Sequence, residues 1–320
     1  MSCILFYKIK PFLCLTFFIS CIFCLILESI VNPVFSSEIL PYFEFSKHGR
    51  INWFSGTVQA QGMCNSTILA QDEQFVQEIL FREAKIRATA HLLDTLLELH
   101  LNNQKRIHDL VKGNKSLNFD IRGLLHLARV SDKQMVNKGK MKVTLTRNLY
   151  KFSRVILPDS FWYEAQNSKK AKLLPPSQKT GELQPYQFYL QPVPLYTGLI
   201  VDAKRVGGEP ALICKIFDKS NKLIYGPSKV FPKIAQEKGM ARYVEDLGSA
   251  KNCRRIIGDN PLIVQAQKVR GENRCDYVIA SNKLDLLLRS NPKTKIFKQC
   301  RVVIVLGPSD PSELVEYSLD

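Results

Sequence analysis

One stretch limits what this chain can fold into more than any other. Gln74 to Leu101, QFVQEILFREAKIRATAHLLDTLLELHL, is long and nearly free of helix breakers. Val76, Ile79, Leu80, Ile86, Ala90, Leu93 and Leu97 recur at three- and four-residue steps. That spacing predicts a helix with those residues on its buried face. Glu78, Arg82, Lys85 and Asp94 fall on the other side, and Glu83 and Arg87 border the stripe. Upstream, Ile51 to Gly62 reads as a strand. Downstream, Met141, Val143 and Leu145 alternate with Lys142, Thr144 and Thr146. Strict alternation gives a sheet one dry face and one wet face. A long helix over the dry face buries both stripes at once.

The expected first domain built on this pair spans residues 48–160, in the order strand, helix, helix, strand, strand. A short helical segment at Ile107–Val111 follows the long helix, and Phe119–Ala128 is helical again. Val130–Val136 pairs with Lys140–Leu149 around the turn Asn137-Lys138-Gly139, where glycine accepts positive φ. Residues 161–196 are expected to be a linker and strap. Lys169, Lys170 and Lys172 lead into Pro175, Pro176, Pro185, Pro192 and Pro194, a composition that favours extended backbone. Tyr186, Phe188, Tyr189 and Tyr196 are expected to pack its second half onto a domain.

In residues 197–320, strands are expected at Leu199–Val201, Ala211–Phe217, Leu223–Tyr225, Leu262–Lys268, Tyr277–Ala280 and Arg301–Leu306, all rich in β-branched and aromatic residues. Ser281 is placed to cap a helix over Asn282–Leu288. The short connections suggest mostly antiparallel pairing. The fold class is therefore α+β: a small antiparallel sheet covered by one long helix, followed by a second mixed α/β domain.

The N-terminus carries an address. Lys8 and Lys10 precede Pro11–Leu27, an uninterrupted apolar run, and Val34-Phe35-Ser36 offers a cleavage site. Residues 1–36 thus read as a secretory signal peptide, with an uncleaved anchor as the alternative. The expected location is outside the cytoplasm: periplasmic or associated with an outer membrane. Cys64, Cys214, Cys253, Cys275 and Cys300 lie beyond that segment. Oxidation there would most readily join Cys253 with Cys275, and Cys214, in ALICKIF, reads as a small buried residue.

Chemistry is sparse. No GK[ST] phosphate loop, GxGxxG, GxSxG or HExxH pattern occurs, and the five later cysteines show no CxxC spacing. No catalytic residue, cofactor or metal site is expected. His48, His91, His100, His108 and His126 read as solvent-facing or internally satisfied. Asp202, Glu209, Asp218 and Asp259 read as turn-forming or solubilising groups.

Charge is the more informative property. The formal net charge of +16 favours anionic neighbours. The candidate contacts for an anionic envelope polymer are Lys138, Lys140 and Lys142, then Lys251, Arg254 and Arg255, then Lys293, Lys295 and Lys298, with Arg301 beside the last group. Export argues against a nucleic-acid partner, and contact with a membrane is expected only through the N-terminal segment.

INWFSGTVQAQG, the Ala/Arg-rich helix EAKIRATAHLLDTLLELH and the closing strand VTLTRNLY together resemble the bacterial LPP-twenty surface lipoproteins. The N-terminal domain of the flagellar assembly protein T is similar. The resemblance covers about Ile51–Tyr150 and carries no catalytic motif. It implies an exported or envelope-attached domain that works through protein contacts, with envelope or flagellar proteins as partners. The lipoprotein pattern departs at Cys21, which sits mid-core behind Phe18 and Ser20. The expected role is structural or scaffolding, with a binding module for peptidoglycan or lipopolysaccharide as the alternative and an unrecognised envelope enzyme as the second.

Overall fold

A computed structural model describes residues 38–65, 73–137, 139–167 and 195–309. The signal segment, most of the strap and Lys138 lie outside the described residues. Both sheets belong to one compact unit that starts at Ile39.

The first sheet is antiparallel throughout, in the order β1-β2-β3-β5-β4. Its strands are β1 (Phe43–Ser46), β2 (Gly49–Asn52), β3 (Thr57–Asn65), β4 (Arg129–Asn137) and β5 (Lys140–Asn148). The stretch read as one strand from Ile51 is two, broken at the turn Trp53–Gly56, because Gly56 turns the chain with φ of 67°. Helix α1 (Glu73–Glu98) lies along β3 and β5. The dry face of β5 is Met141, Val143 and Leu145, all buried as the alternation predicts.

Leu80 and Leu93 of the expected stripe are buried, but the other residues through which the helix meets that face differ from those expected. Leu80, Ala84, Ala88, Leu92, Leu93, Thr95 and Leu96 are buried, whereas Ile86 is 69% exposed. Gly62 on β3 explains the phase. A Cβ there would run into the backbone of Ala84 and Ala88, so helix and strand approach where all three side chains are minimal. Small residues, not the large isoleucine, mark the contact.

Beyond α1 come α2 (Ile107–Val111) and α3 (Lys115–Leu125), the latter capped by the Asn114 side chain, which accepts from Leu117 N–H at 3.0 Å. After β5, where the sequence reading placed no further element, α4 (Tyr150–Ile156) and α5 (Asp159–Asn167) follow directly, the second running past the expected boundary at residue 160. Trp162 of α5 is 1% exposed.

The second sheet has seven strands: β6 (Gly198–Asp202), β7 (Ile216–Phe217), β8 (Leu223–Tyr225), β9 (Arg242–Val244), β10 (Pro261–Arg270), β11 (Asp276–Ile279) and β12 (Val302–Val305). Their order is β8-β7-β11-β10-β6-β12-β9. The expectation of mostly antiparallel pairing is corrected here. β6 runs parallel to β10 and β12, β9 to β12, and β7 to β11, leaving only β10–β11 and β7–β8 antiparallel. Short connections misled because β6 pairs with strands far along the chain. Four short helices punctuate this half: α6 (Pro232–Lys238), α7 (Leu247–Asn252), α8 (Arg254–Ile257) and α9 (Leu284–Thr294). The long strand expected at Ala211–Phe217 shrinks to β7. Ser281 Oγ accepts from Lys283 N–H at 3.1 Å, so it shapes the turn before α9 rather than capping it.

β6 and β12 are buried on both faces. Leu199, Val201, Val302 and Ile304 point into one apolar cluster, and Ile200, Val303 and Val305 into another under α7 and α8. The first of these clusters also holds Leu92, Leu96 and Val143, so the two sheets share a core. Trp53 closes the joint, edge-on to Tyr243 with ring centroids 5.5 Å apart. Arg242 donates to the Tyr150 hydroxyl and lies 4.9 Å from that ring.

Candidate functional site

The turn that follows α1 builds the most distinctive cleft. The helix ends at Glu98 with Leu99 N–H turning back to Leu96 O, and beyond it Asn102 Oδ1 accepts from the N–H groups of Gln104 and Lys105 at 2.9 and 3.0 Å to form a tight turn. Arg106 then returns beside His100 in an antiparallel bridge. The tip of this turn is stitched to the second sheet. Leu212 and Ile213 donate to the carbonyls of His100 and Leu101 at 3.1 and 2.8 Å. Asn273 donates from its backbone to Asn103 O and from its side chain to Asn102 O. Asn103 Nδ2 donates to Asp276 Oδ2 at 2.6 Å.

Between the stitched turn, β1 and the loops before β7 and β11 lies a cleft of about 480 Å³. Tyr42, Phe43, Glu44 and Phe45 line one wall, with His100 and Arg106, and Glu209, Glu272 and Asn273 opposite. Glu44 accepts from the Trp53 indole N–H at 2.6 Å. Burial nevertheless pushes its carboxyl up to about 7, the indole bond holding it partly down and Glu209 adding to the rise. His100 is 8% exposed, and its Nδ1 has no hydrogen-bond partner among the described residues. Burial holds its pKa below the usual value, and the Arg106 charge works in the same direction.

Asp276, 2% exposed, is pushed up to about 6 by burial, against the pull of Lys215. Its Oδ1 accepts from Lys215 N–H at 2.9 Å. A raised carboxylate, a cleft and an unpaired buried imidazole are the usual signs of a binding site.

None of the basic candidates lines this cleft. Lys140 and Lys142 stand on the wet face of β5, opposite Asn65 and Met63. Lys251, Arg254, Arg255, Lys293 and Lys295 are exposed. Lys298 lies over the Phe231 ring at 5.2 Å. Among the sequence-noted histidines, His48 and His91 stack with centroids 3.9 Å apart, and His108 sits 3.7 Å from Asp109. Asp202 and Asp218 are turn formers, accepting from nearby backbone N–H groups.

Glu209 is the exception among those carboxylates, since it lines the cleft. Glu44, Glu272 and Arg106 escaped the sequence reading, although a carboxylate between two phenylalanines in a short strand was a visible signal. The pairing of Cys253 with Cys275 is also corrected. Both are free and buried, Cys253 donating to Ser249 O and Cys275 to Asn273 O, on elements that do not bring the sulfurs together.

The second sheet is similar to a domain known from a bacterium. Residues 198–308 match the family described as Treponema pallidum Tp0624, second domain. The matched span begins on the first residue of β6 and runs just past β12, so it contains the whole second sheet. It covers about a third of the chain and lies wholly outside Ile51–Tyr150, so the comparisons lend no support to the resemblance to LPP-twenty lipoproteins expected there. No curated protein matches the chain.

Proposed function

We propose that this is an exported bacterial cell-envelope protein, periplasmic or outer-membrane-associated, that acts as a scaffold by contact rather than by catalysis. The observation that carries the reading is β4. It is the outer strand of the first sheet, nine residues long, and Val130, Met135 and Val136 on it are 39%, 41% and 50% exposed. An open edge of this length is a template for another chain, because its outward N–H and C=O groups are ready to pair. Arg129 on β4 and Lys140 and Lys142 on β5, which share the wet face of this margin, favour an extended, acidic segment of an envelope protein as the occupant. The N-terminal apolar run and the bacterial family match support the location. The resemblance of Ile51–Tyr150 to LPP-twenty lipoproteins and to the flagellar assembly protein T supports a flagellar or outer-membrane setting.

The test is crosslinking in cells from a photoreactive residue at position 136 of the tagged full chain. One or two stoichiometric envelope or flagellar proteins are expected. Their recovery should be abolished by Met135→Pro, which breaks the regular backbone of β4 where its side chains are exposed. Recovery that is unchanged in that variant would remove β4 from the reading.

A second reading rests on a separate observation. The three ion pairs among the described residues leave out Lys140, Lys142, Lys251, Arg254, Arg255, Lys293, Lys295 and Lys298. Unpaired surface cations can hold an anionic polymer such as peptidoglycan or lipopolysaccharide. Such binding should fade as salt rises from 0.05 to about 0.5 M, a range over which the Debye length shrinks severalfold.

A further inference from the structure

The face of the first sheet turned away from α1 is not flat. A trough of about 400 Å³ crosses it, a volume usual for small-ligand sites. Strand register sets its floor. Gln59 lies between Arg50 and Thr146, and Thr144 lies between Gln61 and Asp132. On β3 and β5 these residues alternate with buried Val58, Ala60, Val143 and Leu145, so they share the face opposite the helix. Thr144 is only 9% exposed on that face, which shows how deep the floor lies.

A bulge in β4 builds one wall. Val130 pairs with Leu145 and Asp132 with Thr144, so Ser131 is the extra residue. Bulges re-aim side chains and gather beside functional sites for that reason. Ser131 Oγ accepts from Thr146 Oγ1 at 2.8 Å and donates to Thr144 O at 3.2 Å, which fixes it over the trough beside Asp132. Phe45 and Arg50, paired across β1 and β2, form the other wall. Arg50 Nε donates to Gln59 Oε1 at 2.9 Å, which commits that oxygen and leaves the Gln59 NH2 group to donate elsewhere. Among the described residues, the Asp132 carboxylate and the Gln61 side-chain amide have no hydrogen-bond partner.

Charge narrows the ligand. Asp132 balances Arg50, and burial together with neighbouring His91 holds the pKa of His48, at the rim, below its usual value. In a chain of formal charge +16 this patch is neutral near pH 7, so it selects neither anions nor cations. It offers a carboxylate that accepts, a guanidinium and amide NH2 groups that donate, and an aromatic ring. That set matches a hydroxyl-rich ring with an apolar C–H face.

We propose that this trough binds a hexopyranose unit of an uncharged glycan, its hydroxyls held by Asp132, Gln61 and Arg50 and its C–H face laid on Phe45. A free sugar and an envelope polysaccharide present the same chemistry. The site is independent of strand uptake at the edge of β4 and of the surface lysines that would hold an anionic polymer.

Titration of the full chain with cellotetraose, followed by saturation-transfer NMR and calorimetry, tests it, with glucose as the single-ring probe. Saturable binding of the tetrasaccharide is expected. Its affinity should stay within about twofold from about 0.05 to 0.5 M salt, because no net charge is screened. A higher affinity than that of glucose names a polymer as the source, and equal affinity names a free sugar. Asp132→Asn should weaken binding about tenfold, since hydroxyls bond a carboxylate more strongly than an amide. Gln61→Ala should weaken it about fivefold. Neither side chain is buried, so both variants should melt with the parent chain. The proposal is overturned if neither probe binds, if binding collapses in high salt, or if both variants bind like the parent chain.

Discussion

The two sheets solve the burial problem in opposite ways. The first has one helix, one dry face, and open strands at its margins. The second carries apolar clusters on both faces, and its central strands β6 and β12 are buried from end to end apart from Asp202. One-sided burial leaves a face and an edge free for contact, whereas two-sided burial spends the whole sheet on stability. On the scaffold reading proposed above, contact with a partner falls to the first sheet and stability to the second. The cleft lies where they meet.

The sharpest way to break this comparison is to ask whether the sheets unfold separately. Leu96→Ala removes a fully buried side chain from α1 and should cost about 3 kcal/mol, as large-to-small core changes do. Because Leu96 shares a cluster with Ile304, calorimetry should show one transition moved to lower temperature. Two transitions, with the second unmoved, would mean that the shared core does not couple the sheets.

A smaller effect is expected at the stitched turn. Asn103→Ala deprives buried Asp276 of a side-chain partner and should cost about 1–2 kcal/mol. Thermal unfolding checks this, and a loss that vanishes in Asp276→Asn would trace it to the carboxylate.

Next in size is a dependence on pH. Glu44 is raised from 4.5 to about 7 and Asp276 from 3.8 to about 6. The native state therefore keeps protons that the unfolded chain has released, and stability from these groups falls as pH rises from about 4 to 7. Glu44→Gln should flatten the upper part of that slope in a series of melting curves. An unchanged slope would show that Glu44 does not titrate in this range. The smallest change expected is Lys298→Met, which loses a cation over Phe231 and should shift stability by about 0.5 kcal/mol.

The same contrast explains how much was legible in the sequence. β4 and β5 could be read nearly to the residue because Met141, Val143 and Leu145 alternate with polar neighbours. In β6 and β12 every residue but Asp202 is apolar because both faces are covered, so periodicity carries no orientation. Ile86 was assigned to the buried face because hydrophobicity outweighs smallness in any stripe count. The true contact depends on Gly62, Ala84 and Ala88, which such a count ignores. The cleft was legible only in part. Glu209 was read as a turn-forming or solubilising group, and Glu44, His100 and Glu272 come together through a turn whose course depends on Asn102 and Asn103. Such convergence is a property of tertiary structure, which a linear pattern does not contain.

The five buried thiols bear on how such a protein is delivered. Burial holds Cys214 up at about 12 and Cys253 and Cys300 at about 11, so thiolate, the form that reacts, is scarce in the folded state. In the oxidising compartment proposed, protection lasts only while the chain is folded. A chain that lingers unfolded after export would offer five sulfurs for mispairing, and each wrong bridge would block the core that shields them. Maturation in that compartment is then a race between folding and oxidation, and once the race is won burial shields the thiols from oxidants without any reductant.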